Sequence, residues 1–391
     1  VGPLLLAITS VLIAIYGINI RFNYRCWSNI GPAASKRFHF KADALTLSTF
    51  VGDVVVIPLH NESAWQDGDT AIIDVHLFDS GGYTESDFDI QVDASSLSVT
   101  CDACNIQHFY QCGAANLVVY LKNDTTLQSL SLSASDTPQD SRLSFGSGVT
   151  GVQLASLTAT FPDLISINQV LNVSKEVRLN SISGDVACVG LYSPNVHLST
   201  ADGSSRCRIF AGSMSEVEVS ATATGGPIVL DIDVGEESGK VVNISTNSGT
   251  GDTYVSVLPE MAGRHDVYFA AVSTAGPLSY LLSAVQSGVV SGTMTNTDGE
   301  IELQATHADN TTAIDATLST HTGGISASLG SLSGKFAGST SFGVMNVRAP
   351  SGSVHYTRND LMAKSGTIGE DNGNSISMVT REGDVSLTVY E

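Results

Sequence analysis

The chain has 391 residues and a net charge of −21, and only 15 % of its residues are charged and 7 % aromatic. This length is enough for one large or two medium domains with a buried core. An acidic body repels phosphate backbones, so nucleic acid is excluded as a partner. Abundant glycine with few charged residues favours short strands and tight turns over coiled coils and helical bundles.

Residues 1–20, VGPLLLAITSVLIAIYGINI, contain no ionisable side chain, and the run stops at Arg21. Twenty helical residues span about 30 Å, the thickness of a hydrocarbon core. A cleaved signal peptide has a shorter apolar region that ends in small residues. The run therefore predicts an uncleaved transmembrane anchor, with a cleaved signal peptide and a buried core helix as the second and third interpretations.

The orientation of this anchor depends on conflicting signals. Arg21 and Arg25 follow the span and, counted alone, favour a cytoplasmic body. Five glycosylation sequons and six cysteines, all beyond the span, favour the other side of the membrane. We therefore expect a single-pass membrane protein with most of its chain extracellular or lumenal. The candidate glycosylation sites are Asn61, Asn123, Asn172, Asn243 and Asn310.

The next two segments differ in pattern. Residues 21–41 are predicted to be a juxtamembrane connector. Residues 42–150 contain alternating apolar runs such as DVVVIPL and NLVVYL, separated by Asp, Asn, Gly and Ser, which predict strands. This β-rich region is either a small sandwich or the first turns of a continuous stack.

Residues 151–391 repeat one phrase: a small polar residue, a glycine, and then an alternating strand. Examples are SISGDVACVG, NTDGEIELQA and TREGDVSLTVYE. Such irregular repeats predict stacked units, each too small to bury its own apolar face. The fold class is therefore all-β, a β-solenoid of short strands. The glycines are 19 to 31 residues apart: Gly184, Gly203, Gly226, Gly251, Gly276, Gly299, Gly324, Gly352 and Gly383.

The phrase, as in SISGDVAC, NTDGEIEL and REGDVSLT, resembles the “putative adhesin” β-solenoid family over roughly residues 150–391. The resemblance implies a β-stack and supplies no catalytic residues. The membrane anchor and the lengthening steps between glycines depart from the simplest form of that family.

The cysteines favour disulfides in an oxidising compartment. Cys188 and Cys207 are 19 residues apart, as are the glycines before them, so they take equivalent places in successive turns and are predicted to bond. In the first region Cys112 is predicted to bond either Cys104 or Cys101. The alternative is a metal site made by these three cysteines and His108, but four ligands with zinc geometry are not indicated.

No catalytic, cofactor or metal motif is predicted. The histidines are scattered, and neither a nucleophile elbow nor a phosphate loop is present. Asp231 and Asp233 were weighed as a glycan-cleaving pair, but they alternate with Leu230, Ile232 and Val234, which places both on a solvated face.

The leading hypothesis is a non-enzymatic, membrane-anchored surface or secretory-pathway glycoprotein with an adhesive or structural solenoid, which could bind a protein or a glycan. The first alternative is a glycan-binding or glycan-cleaving β-helix enzyme. The second is a subunit of a surface assembly that pairs through exposed end strands. The strand in DVSLTVYE is predicted to be such an edge.

Overall fold

The computed structural model describes residues 31–58, 64–79, 85–101, 113–122, 124–135, 141–146, 148, 151–235, 237–258, 264–283 and 285–390. The predicted anchor, residues 1–20, lies outside these ranges. Within them, no helix has the length and apolar character needed to cross a membrane.

The described chain is built from strands, with one 3-10 turn at Glu85–Asp87. The first strands are β1 (Gly31–Phe40), β2 (Ala44–Thr49), β3 (Val54–Pro58), β4 (Ala71–Asp79), β5 (Asp89–Val92), β6 (Ser96–Thr100), β7 (Gly113–Leu121), β8 (Thr126–Leu127), β9 (Ser129–Ala134), β10 (Leu143–Phe145), β11 (Gln153–Phe161) and β12 (Ile165–Ser181). The central strands are β13 (Val186–Tyr192), β14 (Asn195–Thr200), β15 (Ser205–Phe210), β16 (Glu216–Ala223), β17 (Ile228–Asp233), β18 (Lys240–Ser248), β19 (Thr253–Leu258), β20 (Arg264–Ala275), β21 (Leu278–Leu282), β22 (Ser287–Asp298) and β23 (Ile301–Ala305). The last strands are β24 (Ala313–Thr322), β25 (Ile325–Leu329), β26 (Gly334–Phe342), β27 (Met345–Arg348), β28 (Val354–Asn359), β29 (Ala363–Ile368), β30 (Asn374–Glu382) and β31 (Val385–Val389).

Most of these strands pair in parallel and form two ladders. Ladder A runs through β2, β9, β11, the second half of β12, β14, β16, β18, β20, β22 and β24. Ladder B runs through β3, β10, the first half of β12, β13, β15, β17, β19, β21, β23 and β25. One strand from each ladder makes a rung, and this is the stacked β architecture that the glycine phrase predicts.

The core lies between the two ladders. In β18 and β19 the inward residues Val242, Ile244, Val255 and Val257 are buried, while their neighbours in sequence face outward. Burial of one such side chain contributes about 1.5–3 kcal/mol. Because each rung supplies only a few of them, stacking is what encloses the core.

The strands before residue 150 are hydrogen-bonded into the same ladders. β2 and β9 lead to β11, and β3 and β10 lead to β12. Part of the predicted connector at 21–41 forms β1, which pairs antiparallel with β4, and β4 pairs antiparallel with β7.

The order of rungs changes at the C-terminal end. β24 pairs with β30, and β30 pairs in parallel with β26 on its other edge. In ladder B, β31 lies in the same way between β25 and β27. The strand of DVSLTVYE is therefore internal, and its prediction as an exposed edge is wrong. The hairpin of β28 and β29 pairs with the far edge of β26 and ends ladder A.

A column of glycines stands at one corner of the rungs. A Cβ on Gly203, Gly226 or Gly251 would overlap the carbonyl oxygen of the glycine one rung earlier. These residues are needed because successive backbones approach closely there. The complete column is Gly184, Gly203, Gly226, Gly251, Gly276, Gly299, Gly323, Gly383 and Gly343.

Two glycines of the predicted series do not belong to this column. Gly323 takes the place expected for Gly324, and Gly352 lies in open space with a φ of 80°. The long final steps in the predicted series arose because the hairpin and the exchanged rung interrupt the order.

The small polar residue of the phrase satisfies backbone groups at this corner. Thr200 Oγ1 donates to the Gly184 carbonyl at 2.9 Å and accepts from the Gly203 amide at 3.0 Å. Thr380 Oγ1 donates to the Gly323 carbonyl at 3.0 Å in the same way. A buried hydroxyl three residues before a glycine thus pairs polar groups that the core would otherwise leave unpaired.

Candidate binding face on the outer side of ladder A

The outer side of ladder A carries a continuous row of small side chains. Its strands align with one residue opposite the next, and most members bear a hydroxyl group. With strands about 4.8 Å apart, seven residues make a shallow trench roughly 29 Å long. The row consists of Ser220, Ser245, Ala270, Thr293, Thr317, Ser377 and Ala337.

The trench deepens into a groove of about 320 Å³ at its centre. Tyr268, which is 41 % exposed, stands on one side beside Asn243 and Glu218. Asn243 Nδ2 donates to Glu216 Oε1 at 2.8 Å. Gly292 leaves space for the groove, since a Cβ there would overlap the Phe269 carbonyl. We call this the central groove.

The central groove offers the groups that bind sugars. An aromatic ring can stack on the apolar face of a ring, and the carboxylate and amide beside it can exchange hydrogen bonds with hydroxyls. Tyr268, Asn243 and Glu218 come from three neighbouring strands, β20, β18 and β16. Sequence reasoning missed this site, although one signal was available: three successive strands present these side chains in register.

A second groove, of about 240 Å³, lies where the trench meets the terminal hairpin. Four strands contribute to it: β30, β26, β29 and β28. We call it the terminal groove. Its lining includes Ser339, Arg358, Lys364, Ser365, Ser377 and Val379.

The predicted cysteine sites fall in two regions. Cys188 and Cys207 form a disulfide with Cα atoms 4.5 Å apart, and they lie directly opposite each other in β13 and β15. Cys101 is also disulfide-bonded. Cys104 and Cys112 lie outside the described residues.

The predicted sequons are not brought together. Asn172 and Asn310 are exposed, and Asn243 is half-buried in the central groove. Asn61 and Asn123 lie outside the described residues.

The carboxylates weighed for catalysis are on ladder B, away from both grooves. Asp233 accepts a hydrogen bond from Arg208 at 3.0 Å, and Asp231 lies opposite Arg208 in the neighbouring strand. The Arg208 guanidinium also lies 4.9 Å from the centre of the Phe210 ring. Asp233 is therefore part of a surface ion pair.

The pKa shifts mark structural contacts. Arg37 donates two hydrogen bonds of 2.6 Å to Asp74 and lowers the pKa of that carboxyl. Arg178 lowers the pKa of Glu176 in the same way. Burial would raise the pKa of Asp69, but hydrogen bonds from His39 and the Gln66 amide outweigh it and leave the pKa lowered.

One buried corner was also missed from the sequence. His265 is fully buried beside Lys240, and neither ring nitrogen has a hydrogen-bond partner. Burial lowers the pKa of His265, and the Lys240 charge lowers it further. Lys240 Nζ donates to the Gly212 carbonyl at 2.6 Å. Across the described ranges, no group of three His, Cys, Asp or Glu side chains is placed to hold a metal ion.

Several solved structures are similar to this chain at low identity. A “putative adhesin” from Parabacteroides merdae is 12 % identical, with 91 % of this chain and 96 % of that chain covered and a TM-score of 0.35. A “putative adhesin” from Bacteroides fragilis is 11 % identical over the same shares, with a TM-score of 0.25. A “putative cell adhesion protein” from Clostridium sporogenes is 9 % identical over 92 % and 100 %, with a TM-score of 0.17.

A search among curated proteins finds no match. The Toastrack DUF4097 family matches residues 61–388. Because this match covers most of the chain, the protein belongs to the Toastrack DUF4097 family, and the family-level prediction from the glycine phrase is confirmed.

Proposed function

We propose that this chain is a membrane-anchored surface or secretory-pathway glycoprotein whose β-solenoid is a non-catalytic adhesive or structural ectodomain. The observation that carries the proposal is the outer face of ladder A. It presents a trench of hydroxyl-bearing side chains across seven consecutive strands and a groove beside Tyr268.

A ladder of this kind suits a spacer as well as a binding face. Each central strand is hydrogen-bonded on both edges, so the body resists bending and can hold a contact surface away from its point of attachment. The acidic charge keeps such a long β surface soluble.

The location is proposed from the sequence. The apolar run at residues 1–20 supports an anchor, and the sequons and disulfides support an extracellular or lumenal body. The names of the solved proteins, “putative adhesin” and “putative cell adhesion protein”, agree with a surface role.

Glycan binding is the second candidate, and the central groove favours it. Tyr268 supplies a stacking surface, and Glu218 and Asn243 supply polar groups at its side. Cleavage is less well supported, because Asp233 is held by Arg208 on the other ladder.

The proposal is tested on cells that display the full chain. We expect such cells to attach to glycan- or matrix-coated surfaces, and Tyr268→Ala to reduce attachment by at least about tenfold. Tyr254→Ala is the matched control, since Tyr254 is a similarly exposed tyrosine on ladder B. Equal attachment by displaying and non-displaying cells would contradict the adhesive role, and mobility unchanged by glycosidase would contradict the glycoprotein assignment.

A further inference from the structure

The C-terminal end of the solenoid has the opposite charge to its body. Residues 334–368 contain four basic side chains, Lys335, Arg348, Arg358 and Lys364, and one acidic side chain, Asp360, which gives +3. The rest of the chain therefore carries −24. A diffusing anion is repelled by the body and attracted to this end.

The terminal groove lies within this basic end. Ser377, Ala337, Ser365 and Arg358 stand opposite one another across β30, β26, β29 and β28. Ala337 and Gly338 are small enough to leave the surface concave there. The groove exists because β30 precedes β26 in ladder A, which brings Ser377 beside Ala337.

Cationic donors at the groove remain available. Arg358 donates from Nε to Asp360 at 2.6 Å, and a guanidinium has five N–H donors in all. Lys364 has no ion pair with any residue that the structure describes. A guanidinium binds a carboxylate with two parallel hydrogen bonds.

The remaining lining suits a sugar ring. Ser339, Ser365 and Ser377 can donate to and accept from hydroxyl groups, and Val379 offers an apolar surface. The volume of about 240 Å³ is below the roughly 300–1,000 Å³ of sites that enclose a drug-sized ligand. It therefore fits one sugar residue of a longer chain.

Apolar side chains extend the contact beyond the groove. Phe342 and Leu361 are 66 % and 69 % exposed. Backbone hydrogen bonds of 2.9 Å hold this rim in place, from the Met345 amide to Leu361 and from the Thr340 amide to Met362. Exposed apolar side chains grouped beside a polar site are typical of contact surfaces.

We propose that the terminal groove binds a uronic acid residue of an acidic polysaccharide, with Arg358 and Lys364 at its carboxylate and the serines at its hydroxyls. The inference rests on the proposed function only in treating the solenoid as a binding body. It does not depend on the anchor or on the central groove.

The test uses the full chain with its disulfides intact and an oligogalacturonate as the probe, measured by calorimetry. We expect binding, and at least about tenfold weaker affinity in the Arg358→Gln/Lys364→Gln variant, because charged hydrogen bonds are lost. Arg206→Gln/Arg264→Gln removes the same charge at exposed sites elsewhere, so its affinity should change less than about twofold. Circular dichroism and melting curves check that each variant is folded.

Methyl-esterified oligogalacturonate, which has no carboxylate, should not bind. Absence of oligogalacturonate binding, or equal losses in the two double variants, would overturn the proposal. Hexaglutamate that competes at equal affinity would show a site for acidic peptides, with strand addition on β28 as its mode, and would also overturn it. Loss of oligogalacturonate binding in Tyr268→Ala would move the site to the central groove, which overturns this proposal and leaves the adhesive function standing. Intact oligogalacturonate binding without cell attachment would contradict the adhesive function alone.

Discussion

The middle of the solenoid and its C-terminal end are built from the same phrase but are ordered differently. From β14 to β22, every second strand in sequence is the neighbour in ladder A. After β24 this rule fails, because β30 takes the next place and β26 the one after. The middle is acidic and uniform, whereas the end is basic and carries the terminal groove.

This difference teaches that the phrase specifies a rung and that the connection sets the order of rungs. Residues 330–333 join β25 to β26. Two rung spacings are about 9.6 Å, and four extended residues reach about 13 Å, so this connection can pass over one empty place. The last two strands then fill that place and are paired on both edges.

The largest expected effect is at the glycine column, which both regions share. Gly251→Ala puts a Cβ into the Gly226 carbonyl, so neighbouring rungs must separate. We expect the free energy of unfolding to fall by about 4 kcal/mol, measured by urea denaturation. Gly352→Ala, in open space, should lose only about 1–2 kcal/mol from its positive φ. Equal losses would show that close backbone approach is not what these glycines permit.

The next effect concerns the disulfide between two rungs of the middle region. The Cys188→Ala/Cys207→Ala variant frees a 19-residue loop in the unfolded chain. We expect it to unfold about 3 kcal/mol more easily. Non-reducing peptide mapping of the parent protein should recover both cysteines in one linked peptide, and two free thiols would contradict the assignment.

The hydroxyl at the corner should contribute less. Thr200→Val removes one donor and one acceptor and leaves the Gly184 carbonyl unpaired, so we expect a loss of about 1–2 kcal/mol. Thr293→Val on the exposed outer face is the matched control and should change stability by less than about 0.5 kcal/mol. Similar losses in the two variants would argue against the role given to the buried hydroxyls.

The smallest effect is a pH dependence in the middle region. The pKa of His265 is lowered from 6.5 by burial, with Lys240 adding to the shift and Asp266 opposing it. Below pH 6.5 the unfolded chain binds a proton at this site before the folded chain does, so stability falls as the pH decreases.

His265→Leu should remove this component while the carboxylates Asp69, Asp74 and Glu176, whose pKa values are lowered, titrate at more acidic pH. Urea unfolding at pH 7 and pH 5.5 measures the difference. The same loss of stability in the variant and the parent would show that His265 is not its source.

Much of the fold could be predicted from the sequence because it is local in origin. Alternation in IELQA and the glycine at 299 are enough to identify a strand and the corner before it. The pairing of Cys188 with Cys207 follows from equal phase in adjacent turns of the middle region. Where the order of rungs changes, phase along the sequence no longer indicates neighbours, and Gly324 and Gly352 were therefore misplaced.

The grooves could not be predicted for the same reason. Tyr268 and Glu218 are 50 residues apart, and Arg358 and Ser377 lie on strands separated by two others. Their proximity depends on register and on the exchanged rung, which a single sequence pattern does not report.

The most direct test of the exchanged end uses pairs of introduced cysteines on the outer side of ladder B. Ser326 in β25 is opposite Ser386 in β31, and Ser386 is opposite Asn346 in β27. We expect Ser326→Cys/Ser386→Cys to form a disulfide on mild oxidation, because adjacent strands are about 4.8 Å apart. Ser326→Cys/Asn346→Cys should not, since its two positions are about 9.6 Å apart. The opposite result would place β27 next to β25, contradict the exchanged rung, and remove the terminal groove with it.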